Sequence, residues 1–143
     1  MFKNILMPID LQETHLAVKA VKIAIDEARK HQAEIHVMTV IPGFGMPLVA
    51  SFFPDKAMEE AMKEVGRELK RYVATNIPED VRGKPVIAEG NPAERVLAQA
   101  REVGADLIII PSHTKSLEQV LLGSCASKVV EQSTCSVMVV KSA

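Results

Sequence analysis

Residues 107–124 carry the clearest chemical signal in this chain. Leu107, Ile108, Ile109 and Ile110 read as a buried strand. A polar loop follows, with His113, Thr114 and Lys115, and the pair Gly123 and Ser124 opens a helix. A strand that feeds a loop onto a helix N-terminus makes a ready anion site. The first amides of a helix have no partner within it, and the helix dipole favours negative charge beside them. The chemistry implied is the holding of a phosphate. Gly123, Ser124, Cys125 and Ala126 present backbone N–H groups, whereas Pro111 has none to offer. Thr114 adds a hydroxyl, Lys115 a positive charge and His113 a further donor. Neither GxxxxGK(S/T) nor GxGxxG occurs.

Bond-breaking chemistry has no comparable signature. GxSxG and HExxH are both absent, and no cysteine and histidine share a recognisable motif. His15, His31 and His36 are scattered without metal-ligand spacing. Cys125 and Cys135 form no CxxC and make no disulfide framework, so they are expected as buried, reduced thiols of a cytoplasmic protein. No catalytic residue is assigned.

Five strands and four helices must position the loop. Residues 5–9 read as the first strand, with Pro8 near its end. Thr14 is expected to cap a helix with Ala17, Val18, Ala20, Val21, Ala24, Ile25 and Ala28 on one face. Lys19, Lys22, Asp26, Glu27 and Lys30 take the other face. Residues 34–41 are a second strand rich in β-branched residues. Residues 42–54 hold Gly and Pro and predict an irregular apolar loop. Its Phe52 and Phe53 suit either a partner contact or a tucked loop. Asp55 is expected to cap a helix along Ala57, Met58, Ala61, Met62, Val65, Leu69 and Tyr72, ending near Pro78. Residues 85–89 form the third strand. Asn91 suits an N-cap, Pro92 the first helical position and Gly104 the C-terminal glycine of the next helix. After the strand at 107–110 come a helix at 124–132 and a fifth strand at 137–140.

Strands alternating with helices imply parallel pairing through right-handed crossovers. Near-continuous Ile and Val runs imply a sheet covered on both faces. The fold class is therefore α/β, a single doubly wound five-stranded parallel sheet with helices on both faces, spanning 1–143. Ligands in such sheets bind beyond the strand carboxyl ends, at the switch point. The loops there are residues 8–10, 40–41, 89–91 and 110–124.

Composition excludes several alternatives. The 143 residues are 48% hydrophobic and carry a net charge of −1, with no long basic run. That favours neither nucleic acid nor an anionic membrane as partner. Aromatics at 3% leave no base-stacking platform. No apolar stretch approaches the roughly 20 residues that span a bilayer, and Met1 to Asn4 show no signal-peptide pattern.

Taken together, these loops resemble the universal stress protein family over essentially the whole chain. The resemblance rests on residues 5–10 (ILMPID), 89–92 (EGNP), 121–124 (LLGS) and 135–140 (CSVMVV). It implies an adenine nucleotide alpha hydrolase-like sheet with strand order 3-2-1-4-5. It also implies bound ATP, with magnesium reached through the nucleotide. ATP-binding members carry Gly, two residues, Gly, nine residues, then Gly and Ser or Thr. Here Pro111 and Thr114 replace the first two glycines, only eight residues separate Thr114 from Gly123, and the Gly123 and Ser124 end is intact.

The resemblance implies roles that each compete with a structural one. Asp10 would hold the ribose hydroxyls or magnesium, or would cap the turn before Thr14. Pro8 and Ile9 would line the adenine pocket, or would be strand end and core; Val40 would offer backbone bonds to adenine, or would be core. Gly90, Ile110 and Pro111 belong to the same loops. His113 and Lys115 would meet the triphosphate, or be solvated. Ser124 would donate to a phosphate, cap its helix, or do both. Val137, Met138, Val139 and Val140 form an apolar edge, which the family pairs across a two-fold axis, so a homodimer or tetramer is expected. The function expected is a small cytoplasmic ATP-binding stress-response protein with an unknown client and at most slow ATP hydrolysis. The alternative is a dimerisation or interaction module of the same fold that binds no nucleotide.

Overall fold

The computed structural model describes residues 1–41, 55–112 and 123–141. The expectations placed on 42–54, and on His113, Thr114 and Lys115, lie outside the described residues, as does the Met58 side chain. The elements in chain order are β1 (Asn4–Pro8), α1 (Val18–His31), β2 (Glu34–Ile41), α2 (Asp55–Asn76) and β3 (Val86–Glu89). They continue with α3 (Pro92–Val103), β4 (Leu107–Ser112), α4 (Ser124–Gln132) and β5 (Ser136–Lys141). Short 3-10 turns lie at Thr14–Ala17 and Glu79–Val81.

All strand pairs are parallel, and the sheet order is β3-β2-β1-β4-β5. Alternation along each strand sends side chains to opposite faces. Ile5, Met7, Ile35, Val37, Leu107 and Ile109 pack with α1 and with Leu69 and Val73 of α2. Leu6, Met38, Ile108 and Ile110 pack with α3 and with Ala126 and Val129 of α4. β1 buries its three central residues and β4 all but Pro111, because both sheet faces are covered.

The helix ends show local chemistry at work. The Asn91 side chain accepts a hydrogen bond from the Glu94 N–H at 3.1 Å, capping α3 with Pro92 in its first turn. Gly104 closes the same helix at φ 65°, the left-handed conformation that suits glycine, and Ala105 N–H donates back to the Ala100 carbonyl at 2.8 Å. Asp106 then fastens β4 to β1: its two carboxylate oxygens accept from the Lys3 and Asn4 amides at 2.8 and 3.1 Å.

Several boundaries differ from the sequence expectation. Thr14 caps nothing; Glu13 occupies the position before a 3-10 turn, without a side-chain cap, and α1 begins only at Val18. The cause is Asp10, whose side chain and carbonyl accept from Gln12 and Glu13 N–H and set a separate turn. Val18 accordingly leaves the buried stripe and is 53% exposed. Ala57 is also exposed, because α2 meets the core only nearer its C-terminal end, at Leu69 and Val73. Asp55 is the first residue of α2, and its side chain lies outside the described residues. β4 runs two residues further than expected, since Pro111 and Ser112 pair with Val140 and Lys141 of β5. β4 pairs with β1 at Leu107 and Ile108, so Pro111 lies beyond the ladder on that side.

Candidate functional site

Beyond Ile108 the partners of β4 and β1 separate: β1 continues beside β2, and β4 beside β5. The gap is the switch point of the sheet, and a cleft of about 580 Å³ opens there. β1 and the turn after it supply Pro8, Ile9, Asp10 and Glu13. β2 supplies Thr39 and Val40, and β4 supplies Ile110, Pro111 and Ser112. Gly123, Ser124, Cys125 and Ala126 close one end, while Val65 and Glu68 of α2 approach from another side.

Ten residues expected from the sequence therefore line one cavity: Pro8, Ile9, Asp10, Val40, Ile110, Pro111, Gly123, Ser124, Cys125 and Ala126. Gly90 does not line it. Its N–H donates to the Ile41 carbonyl at 3.1 Å, and φ 121° explains the residue type through backbone conformation alone. Thr39 and Ser112 were not singled out, although both line the cleft and are buried. Their only signal is a polar residue in an apolar strand, inside β2 for Thr39 and at the end of β4 for Ser112, which does not reveal the direction of the side chain.

Hydrogen bonds fix the floor. Ile9 N–H donates to the Met38 carbonyl at 2.8 Å, and the Thr39 hydroxyl donates to the Ile9 carbonyl at 3.1 Å. These bonds hold the β1 exit against β2. Asp10 is exposed, and one carboxylate oxygen accepts from Gln12 N–H at 2.9 Å. The second oxygen has no protein partner among the described residues. Asp10 thus makes the turn and still faces the cleft.

The α4 end is built from backbone. Gly123, not Ser124, takes the N-cap position, at φ −59° and ψ 156°, and no side chain caps the helix. Ser124 is the first helical residue, so its expected capping bond is absent. A methyl group placed on Gly123 would meet none of the described residues within 4 Å. The nine-residue helix directs its first amides and the positive end of its dipole here. Among the described lining residues the charged ones are Asp10, Glu13 and Glu68, all acidic. Positive potential on the described walls therefore comes from backbone dipoles.

Both cysteines are free and half-buried rather than buried. Burial pushes the Cys125 thiol above its ordinary range, which keeps it protonated and a poor nucleophile. Among the described residues no group of three or more His, Cys, Asp or Glu could hold a metal ion. No described helix is long and apolar enough to cross a membrane.

Comparison with known proteins gives a consistent result. Residues 1–141 match the model of the universal stress protein family. Universal stress protein MJ0531 of Methanocaldococcus jannaschii is 34% identical over 146 residues, covering 99% of this chain and 83% of its own. A universal stress protein solved in complex with cAMP superposes with a TM-score of 0.68 at 20% identity, over 99% of this chain and 98% of its own. The universal stress protein of Archaeoglobus fulgidus solved with dAMP gives a TM-score of 0.63 at 19% identity, covering 96% of each chain. At these identities the two structures show the shared fold.

Proposed function

The chain belongs to the universal stress protein family, and from that membership and its cleft we propose that it is a cytoplasmic stress-response protein that binds ATP. One observation carries the reading: the switch-point cleft is walled by apolar strand ends on one side and by the amide end of α4 on the other. Apolar walls at Ile9, Val40 and Ile110 suit an adenine ring. The amides of residues 123–126 suit phosphates. The cavity, at about 580 Å³, lies within the usual size of small-molecule sites. Two proteins of this fold were solved with cAMP and dAMP, which supports an adenine nucleotide as the ligand class.

Asp10 is the residue to hold the ribose hydroxyls or a magnesium ion. Magnesium prefers oxygen ligands and is commonly bound by one or two carboxylates together with substrate phosphates. One cleft carboxylate with a free oxygen fits that pattern. Bound magnesium would also offset repulsion between the phosphates and Asp10, Glu13 and Glu68. No catalytic residue is assigned, and any ATP hydrolysis is slow because no nucleophile–base pair is identified.

The proposal includes a homodimer through β5, the edge strand whose Val137, Met138 and Val139 are only half-buried. Sedimentation at micromolar protein is expected to give a dimer mass; a monomer alone would contradict the pairing. The acidic lining and Pro111 favour the second reading, an interaction module without nucleotide. Thermal melts separate the two. A ligand at 100 times its Kd stabilises the folded state by about 2.7 kcal/mol, which raises the melting temperature of a domain this size by about 10 °C. Millimolar magnesium–ATP is expected to produce such a rise, and an unmoved melt would favour the second reading.

A further inference from the structure

We propose that the Ser112 hydroxyl is a phosphate-binding donor of the cleft, supplying a hydrogen bond that Pro111 beside it cannot. The assignment rests on the nucleotide reading above. Two buried polar residues are found among the described residues, Thr39 and Ser112. The Thr39 hydroxyl is used within the protein, by its bond to the Ile9 carbonyl. Ser112 is only 6% exposed, lines the cleft, and makes no side-chain hydrogen bond among the described residues. No fully sealed side-chain oxygen or nitrogen lacks a partner there, so the Ser112 hydroxyl is reachable from the cleft.

Strand alternation gives the direction. Ile108 and Ile110 face α4 and pack with Ala126 and Val129. Ser112 continues that series at the strand end and so lies on the α4 side of the sheet. Its hydroxyl therefore stands on the same side as the amides of residues 123–126. A hydroxyl that opens only onto the cleft and has no partner among the described residues is placed to donate to an acceptor brought by a ligand. Beside the amide end of a helix, the matching acceptor is an anionic oxygen, and a phosphate oxygen of the nucleotide meets that description. Pro111 lacks an N–H, so a side-chain donor one residue later restores a donor to this wall.

Calorimetric titration of the wild-type chain and Ser112→Ala, each with magnesium–ATP and with adenosine, tests the assignment. Loss of one hydrogen bond to a charged acceptor is expected to weaken ATP about tenfold. Adenosine, which has no phosphate, is expected to bind both chains equally, and the ligand-free melts are expected to coincide. Equal ATP affinity in both chains would overturn the serine assignment while leaving the nucleotide reading intact. Parallel loss of ATP and adenosine would overturn it too, by showing a general distortion of the cleft. A wild-type chain that takes up neither ligand would overturn the nucleotide reading and this assignment with it.

Discussion

Gly123→Asp is expected to make the protein more stable and a far poorer binder of magnesium–ATP. The backbone at 123 lies at φ −59° and ψ 156°, which any residue adopts, and no described residue would meet a Cβ there within 4 Å. Replacing glycine at a compatible site gains about 0.4–1 kcal/mol through the unfolded state. Aspartate also caps a helix slightly better than glycine and complements the dipole. Together these effects amount to about 1 kcal/mol, or a melting temperature about 3 °C higher. Binding changes in the opposite direction. A carboxylate about 5 Å from a phosphate, at an effective dielectric constant near 20, is repelled by about 3 kcal/mol, roughly a hundredfold in Kd. The new carboxylate also competes for the same amides. Melts of the free protein and titrations with ATP read the two effects separately. An unchanged Kd would mean that phosphates do not sit at α4, whereas a lower melting temperature together with a higher Kd would mean a damaged helix.

Asp10→Asn separates two roles that coincide in one side chain. The present carboxylate accepts from Gln12 N–H at 2.9 Å. Asparagine retains an accepting oxygen, so the turn survives and stability moves by no more than about 0.5 kcal/mol. The charge is lost, and with it the strong bonds to ribose hydroxyls or the ligand to magnesium. Bonds to a charged group are worth about 1.5–3 kcal/mol, so ATP is expected to bind about 10 to 100 times more weakly. The gain in affinity that magnesium provides is expected to shrink as well. Asp10→Ala removes the turn oxygen too, and adds about 1 kcal/mol of destabilisation. Wild-type ATP affinity in both variants would leave Asp10 with the turn as its whole role.

Most of the scaffold was legible because its signals are local. β2 and α4 occupy the expected residues, Glu34–Ile41 and Ser124–Gln132, since a β-branched run and a glycine-bounded amphipathic stretch are strong short-range patterns. Asn91 and Gly104 bracket α3 for reasons confined to a few residues of backbone. What was missed depends on tertiary partners. β4 is lengthened by pairing with Lys141 of β5, which the run 107–110 alone cannot announce. Thr14 yields its expected role to a turn set by Asp10, four residues earlier. Val18 fits the helical spacing but points to solvent between the buried Ala17 and Ala20.

The site shows the same division. Residue types at strand ends pointed to Pro8, Ile9, Asp10, Val40 and the stretch 123–126, and these line one cleft. Gly90 shared a loop position with them, yet its carbonyl contact and positive φ place it with the backbone of β2 and β3. Ser112 required the strand register before its face could be assigned. Charge was the least legible property. The loop suggested cations, while the described walls are acidic and rely on helix dipoles for attraction.

The central claim is that the strand ends and the α4 amides together form an adenine nucleotide site. Calorimetric titration of the purified wild-type chain with magnesium–ATP at two temperatures tests it most directly. Saturable heat with one nucleotide per chain, and competition by adenosine, is the predicted result. Absence of heat at both temperatures, at ATP concentrations up to millimolar, would contradict it.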